Sequence, residues 1–155
     1  MKKVILLSLL PLTAMAAPSL KGFEKTYQDW DLICDNTGTC NMAGYPEYYS
    51  EHPVSILFTR SAGEKASVTA QLALLREDVG NKTAEIILNG QSLGTVPNIS
   101  EDGNAKLSEK QTTELLTALK GNASIEVIFG EFKEKVSDKG AAAAMLKMDE
   151  FQQRL

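Results

Sequence analysis

The chain is 155 residues long, 43% hydrophobic and 23% charged, and its 16 basic against 20 acidic side chains leave a formal charge of −4. That length suits one domain able to bury roughly two-thirds of its unfolded surface, and the acidic balance argues against nucleic acid, whose phosphates require clustered Lys and Arg. One histidine and two cysteines fall short of a four-ligand zinc site.

At the N-terminus Met1, Lys2 and Lys3 form a positive start, Val4 to Leu10 an apolar run, and Ala14-Met15-Ala16 a small-x-small end. This is the pattern of a secretory signal peptide over residues 1–16. A membrane anchor would need roughly 20 apolar residues, and Pro11 and Thr13 interrupt this run sooner. Cleavage after Ala16 would leave 139 residues starting Ala17-Pro18, without a cysteine there to accept a lipid, and with Lys2 and Lys3 gone the charge would fall to −6. Residues 17–155 therefore read as a single domain with no membrane span, periplasmic or secreted from a Gram-negative bacterium.

The first structured stretch carries both cysteines. Export to an oxidising compartment makes an even cysteine count a disulfide framework first. Trp30, Leu32 and Cys34 share one strand face while Asp29, Asp31 and Asp35 share the other, and Asn36-Thr37-Gly38 supplies a turn before Cys40. Facing cysteines across a tight hairpin sit about 4.5 to 5.5 Å apart at Cα, within reach of a disulfide. The two rival readings are weaker. A redox pair would want Cys-x-x-Cys at a helix start, and a metal would have only His52 as a further ligand.

Strands follow. Val54 to Arg60, after Pro53, is β-branched and aromatic enough for a buried strand. Val68, Ala70, Leu72 and Leu74 alternate with Thr69, Gln71 and Ala73, so this segment should return beside the first across Ser61 to Lys65. Ala84 to Leu88 runs into Asn89-Gly90, a sharp turn returning through Leu93 to Val96, and Asn98 to Asn104 reads as a polar loop. Ser108 opens a helix with Gln111 completing a capping box, Leu115, Leu116 and Leu119 as its apolar stripe, and Gly121 as its close. Ile125, Val127 and Phe129 mark another strand, with Phe132 to Val136 returning beside it. A last helix is expected from a Ser137-Asp138 cap, running Ala141 to Leu155, with Ala141, Ala144, Met145, Met148 and Phe151 or Gln152 on one face and Glu150 paired to Arg154. The expected architecture is α+β, an antiparallel sheet of about six or seven strands with two helices packed on it.

The segments DWDLICDNTGTCNMAGY, PVSILFTRSAG and VSDKGAAAAMLKMDEFQQR, in that order, resemble the exported bacterial proteins grouped as domain of unknown function 1176. More distantly, the early Trp and Cys and the late Ala-rich helix are similar to the invasion-associated locus B proteins. The resemblance spans nearly all of residues 17–155 and implies export and a shared fold, but no activity. Chains of the family often continue past the Met-Asp-Glu-x-Gln-x-Arg segment, where this one stops at Leu155.

Candidate chemistry is sparse. His52 follows Tyr45, Tyr48 and Tyr49 in a Pro-containing loop, and a general base there would need a nucleophile and an orienting group beside it. Ser50 and Ser55 are near in sequence, in no recognised motif. Asp29, Asp31 and Asp35 lack the EF-hand pattern and read as an acidic strand edge that resists strand-to-strand aggregation. The sequons at Asn81, Asn98 and Asn122 are expected to carry no sugar in a bacterial chain. Without a nucleophile motif, a metal set or a cofactor motif, a non-catalytic protein-binding or inhibitory module presenting Tyr45, Tyr48, Tyr49 and His52 to a periplasmic or envelope partner is favoured. The alternatives are a small periplasmic hydrolase using His52 with nearby carboxylates, and a structural or envelope-stress protein without a ligand.

Overall fold

A computed structural model of the chain describes residues 20–63, 66–75 and 83–153. The proposed signal peptide, the tip of the expected Ser61 to Lys65 turn, Asn81 and the Glu150 to Arg154 pair lie wholly or partly outside them. Ten strands and two helices follow one another: β1 (Phe23–Tyr27), β2 (Trp30–Cys34), β3 (Cys40–Gly44), β4 (Val54–Arg60), β5 (Val68–Leu74), β6 (Ala84–Leu88), β7 (Gln91–Val96), β8 (Asn104–Lys106), α1 (Glu109–Ala118), β9 (Ile125–Phe129), β10 (Phe132–Val136) and α2 (Ala141–Gln152). The class is α+β with antiparallel pairing, as expected, but the strands divide into two sheets, β1-β2-β3-β4-β5-β8 and β10-β9-β6-β7.

The six-stranded sheet is built from neighbouring hairpins. Alternation buries Trp30, Leu32 and Cys34 on β2, Met42 on β3, Val54, Ile56 and Phe58 on β4, and Ala70, Leu72 and Leu74 on β5. The register sets Cys34 opposite Cys40, and the two are bonded with Cα atoms 4.1 Å apart. Their loop closes through Asp35 N–H to Thr39 O at 2.9 Å, with Gly38 at φ 90°, a left-handed value that glycine adopts freely. In the four-stranded sheet, Ile86, Ile125, Val127 and Val136 point inward and join the same buried cluster.

Both helices pack where their apolar faces require. Ser108 caps α1, accepting the Gln111 N–H while the Gln111 side chain accepts the Ser108 N–H. The rest of the Gln111 amide lies against the Leu93, Gly94 and Thr95 carbonyls of β7, so the same residue ties α1 to the smaller sheet. Helix α2 lies across β1, β2 and β3 and buries Ala141, Ala144, Met145, Met148 and Phe151. At its end the Gln152 amide donates to Gly38 O at 2.8 Å and Arg60 O at 3.1 Å, and Asp149 pairs with Arg60 at 2.7 Å.

Three local expectations are corrected. The N-cap of α2 is Gly140, at φ 93°, with no side-chain cap bond, because Ser137 and Asp138 are engaged elsewhere. A Cβ at Gly140 would fall 1.8 Å from Tyr27 O, so β1 and α2 approach there as only glycine allows. β2 is no edge, since β1 covers it and Thr26 Oγ1 donates to Asp31 Oδ1 at 2.7 Å across the pair. The Asn98 to Asn104 segment turns back at Ser100 and Gly103, buries Ile99, and enters β8.

Candidate functional site

The loop joining β3 to β4, residues 45–53, is fixed at both ends and projects between them. Tyr45 N–H donates to Asp29 O at 3.1 Å and Tyr45 O accepts from Ser137 N–H at 3.0 Å. Proline follows at position 46 and has no N–H with which to continue pairing. At the far end the His52 ring lies edge-on to Phe132 of β10, centroids 4.1 Å apart, and Pro53 O accepts from Leu75 N–H at 3.1 Å. Between these ties Tyr48 is 78% exposed and Tyr49 95%.

Ser137 is the post that holds the near end. Its carbonyl accepts the Trp30 indole N–H at 2.9 Å, its hydroxyl donates to Asp29 Oδ2 at 2.6 Å, and the same oxygen accepts Lys139 N–H at 3.1 Å. Ser137, just past the end of β10, therefore ties the smaller sheet both to the buried indole of β2 and to the tyrosine loop. Lys139 then pairs with Glu47 in the loop. Lys139 and Tyr48 beside Glu47 hold its carboxyl below the ordinary carboxylate range, and Glu47 in turn raises the Lys139 ammonium. Burial, with the charge of Asp31 nearby, pushes the Tyr45 phenol up.

Between the loop and the β9-β10 hairpin lies a cleft of 910 Å³, lined by residues 46–52, 123–126 and 133–138. On the hairpin's outer face Lys133 pairs with Glu126 at 2.7 Å and Lys135 reaches the same carboxylate at 3.9 Å. Asp138 Oδ2 accepts Ala123 N–H at 2.8 Å, closing the cleft's lower end.

The structure thus brings Tyr48, Tyr49 and His52 to one cleft, while Tyr45, anchored by its backbone and 41% exposed, lies outside its lining. It does not bring the three aspartates together. Asp29 serves Ser137, Asp31 serves Thr26, and Asp35 shapes the cysteine turn by accepting from the Thr37 hydroxyl at 2.6 Å and the Thr37 and Thr39 amides at 2.8 and 3.0 Å. Those bonds, the hydroxyl first, keep the Asp35 carboxyl below its ordinary value. Among the described residues no group of three or more His, Cys, Asp or Glu is placed to hold a metal ion. Ser50 meets His52 through the main chain, its Oγ accepting the His52 N–H at 3.0 Å. Glu47, Glu134 and Lys139, to which the sequence gives no role, complete the site with Ser137, whose expected role is that of a helix cap. They lie some 90 residues from the loop or pair with residues that do, and no local pattern records such a pairing.

Fold and site together define a two-sheet, disulfide-bonded α+β domain that presents a tethered aromatic loop. The family described as Protein of unknown function (DUF1176) matches residues 24–155, and the chain belongs to that family. In fold it is similar to the crystal structure of invasion associated protein B from Bartonella henselae, at 14% identity and a TM-score of 0.57, covering 84% of this chain and 99% of that one. No curated protein matches the chain. Among the described residues no helix is long and apolar enough to cross a membrane.

Proposed function

We propose that the protein is a non-catalytic binding or inhibitory module of the periplasm that engages a protein partner through the Tyr45 to His52 loop. The observation that carries this reading is the near-complete exposure of Tyr48 and Tyr49 on a loop whose two ends are tied down. Tyrosine supplies a large contact area with a polar tip and few torsions to freeze, so two of them on a tethered loop bind at low entropic cost. On this reading His52 is a packing residue that seats the loop on Phe132, not a base.

The test uses the exported protein as bait in a periplasmic extract. A Tyr48→Ser, Tyr49→Ser double variant should melt within about 2 °C of the wild type, because exposed side chains contribute little to stability, and should lose the captured partner. His52→Ala should keep the partner. A double variant that melts much earlier yet still captures would overturn the reading.

A further inference from the structure

Strand β10 ends its sheet, and only β9 pairs with it. The two-residue turn Gly130-Glu131 makes Phe129 and Phe132 the first hydrogen-bonded pair of the hairpin, so Phe132, Glu134 and Val136 bond to β9. Lys133 and Lys135 consequently turn their N–H and C=O groups away from β9, toward the side on which the tyrosine loop lies. Ser137 continues that alternation, and its N–H is the one already taken by Tyr45 O. Pro46 ends the pairing after this single bond, the loop bows away, and among the described residues no backbone bond reaches the far side of Lys133 or Lys135. The cleft is therefore the space beside an unpaired strand edge, with Tyr48 and Tyr49 on the opposite wall.

The charges choose the occupant. Glu126 is engaged by Lys133 and Lys135, and Glu47 by Lys139. Three lining carboxylates, Glu51, Glu134 and Asp138, take no ion pair among the described residues, and of these Asp138 accepts the Ala123 N–H. Glu134 shares its face with the half-buried Phe132 and the buried Val136. A second copy of β10 is a poor occupant, because antiparallel self-pairing about residue 133, 134 or 135 sets like charges directly opposite each other. An incoming strand with a cation opposite Glu134 meets no such penalty, and Tyr48 and Tyr49 offer ring faces that favour the same charge.

We infer that the β10 edge takes up an extended, basic segment of the partner by strand addition, with Lys135 and Lys133 supplying main-chain bonds and Glu134, Glu51 and the two tyrosines selecting Lys or Arg side chains. This rests on the loop being the recognition surface and names what it recognises.

The probe is a synthetic heptapeptide alternating valine with lysine, compared with a twin N-methylated at alternate amides and a twin carrying glutamate for lysine. Binding to the full exported protein, followed by calorimetry, should be saturable, and each twin should bind at least about tenfold more weakly. Lys135→Pro should weaken the lysine peptide similarly, since its missing N–H points away from β9 toward the loop, while Lys135→Ala, which keeps the amide and removes one cation, should bind at least as tightly as the wild type. Should the proline variant unfold, the N-methylated twin makes the same measurement on the unaltered protein. Equal binding of the N-methylated twin, preference for the acidic twin, or no saturation up to about 1 mM would each overturn the inference. The two readings fail separately. Capture from extract that depends on Tyr48 and Tyr49 without any peptide binding would leave the loop reading and remove strand addition. Peptide binding that ignores the double tyrosine variant would keep strand addition and remove the loop.

Discussion

Trp30 and Gly44 occupy one space, and replacing both should cost less than the sum of replacing each. The Trp30 indole is fully buried, stacks 6.1 Å from the Phe58 ring, donates to Ser137 O, and lies over Gly44 so closely that a Cβ there would stand 2.3 Å from Cζ2 and 2.4 Å from Cη2. Gly44→Ala alone forces a methyl into a filled core, at about 1 to 3 kcal/mol. Trp30→Phe withdraws the indole's far ring and leaves the Ser137 carbonyl without its donor; a partial cavity and a lost bond together cost about 2 to 4 kcal/mol. In the double variant the alanine methyl enters the volume that the shorter ring vacates, so the combined loss should fall at least about 1 kcal/mol below the sum, within the range of coupled neighbours. Urea melts of the four proteins, with slopes checked for equality, measure it. Additivity within about 0.5 kcal/mol would show that the indole does not lie on Gly44, and would refute the packing described for the junction of the two sheets.

Thiol titration of the unfolded protein should find no free thiol, and replacing both Cys34 and Cys40 with alanine should lower stability by about 2 to 3 kcal/mol, as expected for so short a closed loop. The Glu47 to Lys139 tie should respond to pH at both ends. Because the Glu47 carboxyl is lowered in the folded protein, its contribution is complete above the ordinary carboxylate range and is lost as pH falls through the lowered value. The raised Lys139 contributes fully below the ordinary amine range and loses that as pH rises through its own value. Loop resonances of Tyr48 followed by NMR should show both inflections, and Glu47→Gln should abolish the acid one. Ser108→Ala should cost about 1 kcal/mol in thermal melts, the usual loss of a helix cap, and an unchanged melting temperature would remove the capping box from the account.

What the sequence discloses is local. The cysteine hairpin, the Ser108 capping box and the inward faces of β4, β5, β9 and α2 are legible because each follows from residues a few positions apart. β1 is missed because FEKTY has three exposed residues in its middle and only half-buried aromatics at its ends, too faint an alternation to stand out. Ser137-Asp138 resembles a cap by composition, yet Trp30, Asp29 and Ala123, each many positions away, claim its polar groups. For the site, the tyrosines are visible as a loop. The strand edge facing them is not, since it depends on the order of strands in the sheet.

The placing of α2 sets an order of events as the chain is made. Emerging residue by residue from its N-terminus, the polypeptide presents β1, β2 and β3 about a hundred positions before the helix that covers them, a long loop to close. Leu32, Met42 and Phe23 can pair into hairpins during that interval but lack the cover of α2 until Met145, Met148 and Phe151 arrive, and Gly38 and Arg60 await Gln152. A chain cut before residue 141 would therefore keep every strand and lose the lid of its first sheet. Such contacts between distant positions slow folding, so nascent or truncated chains carry an open apolar face for chaperones and proteases to find.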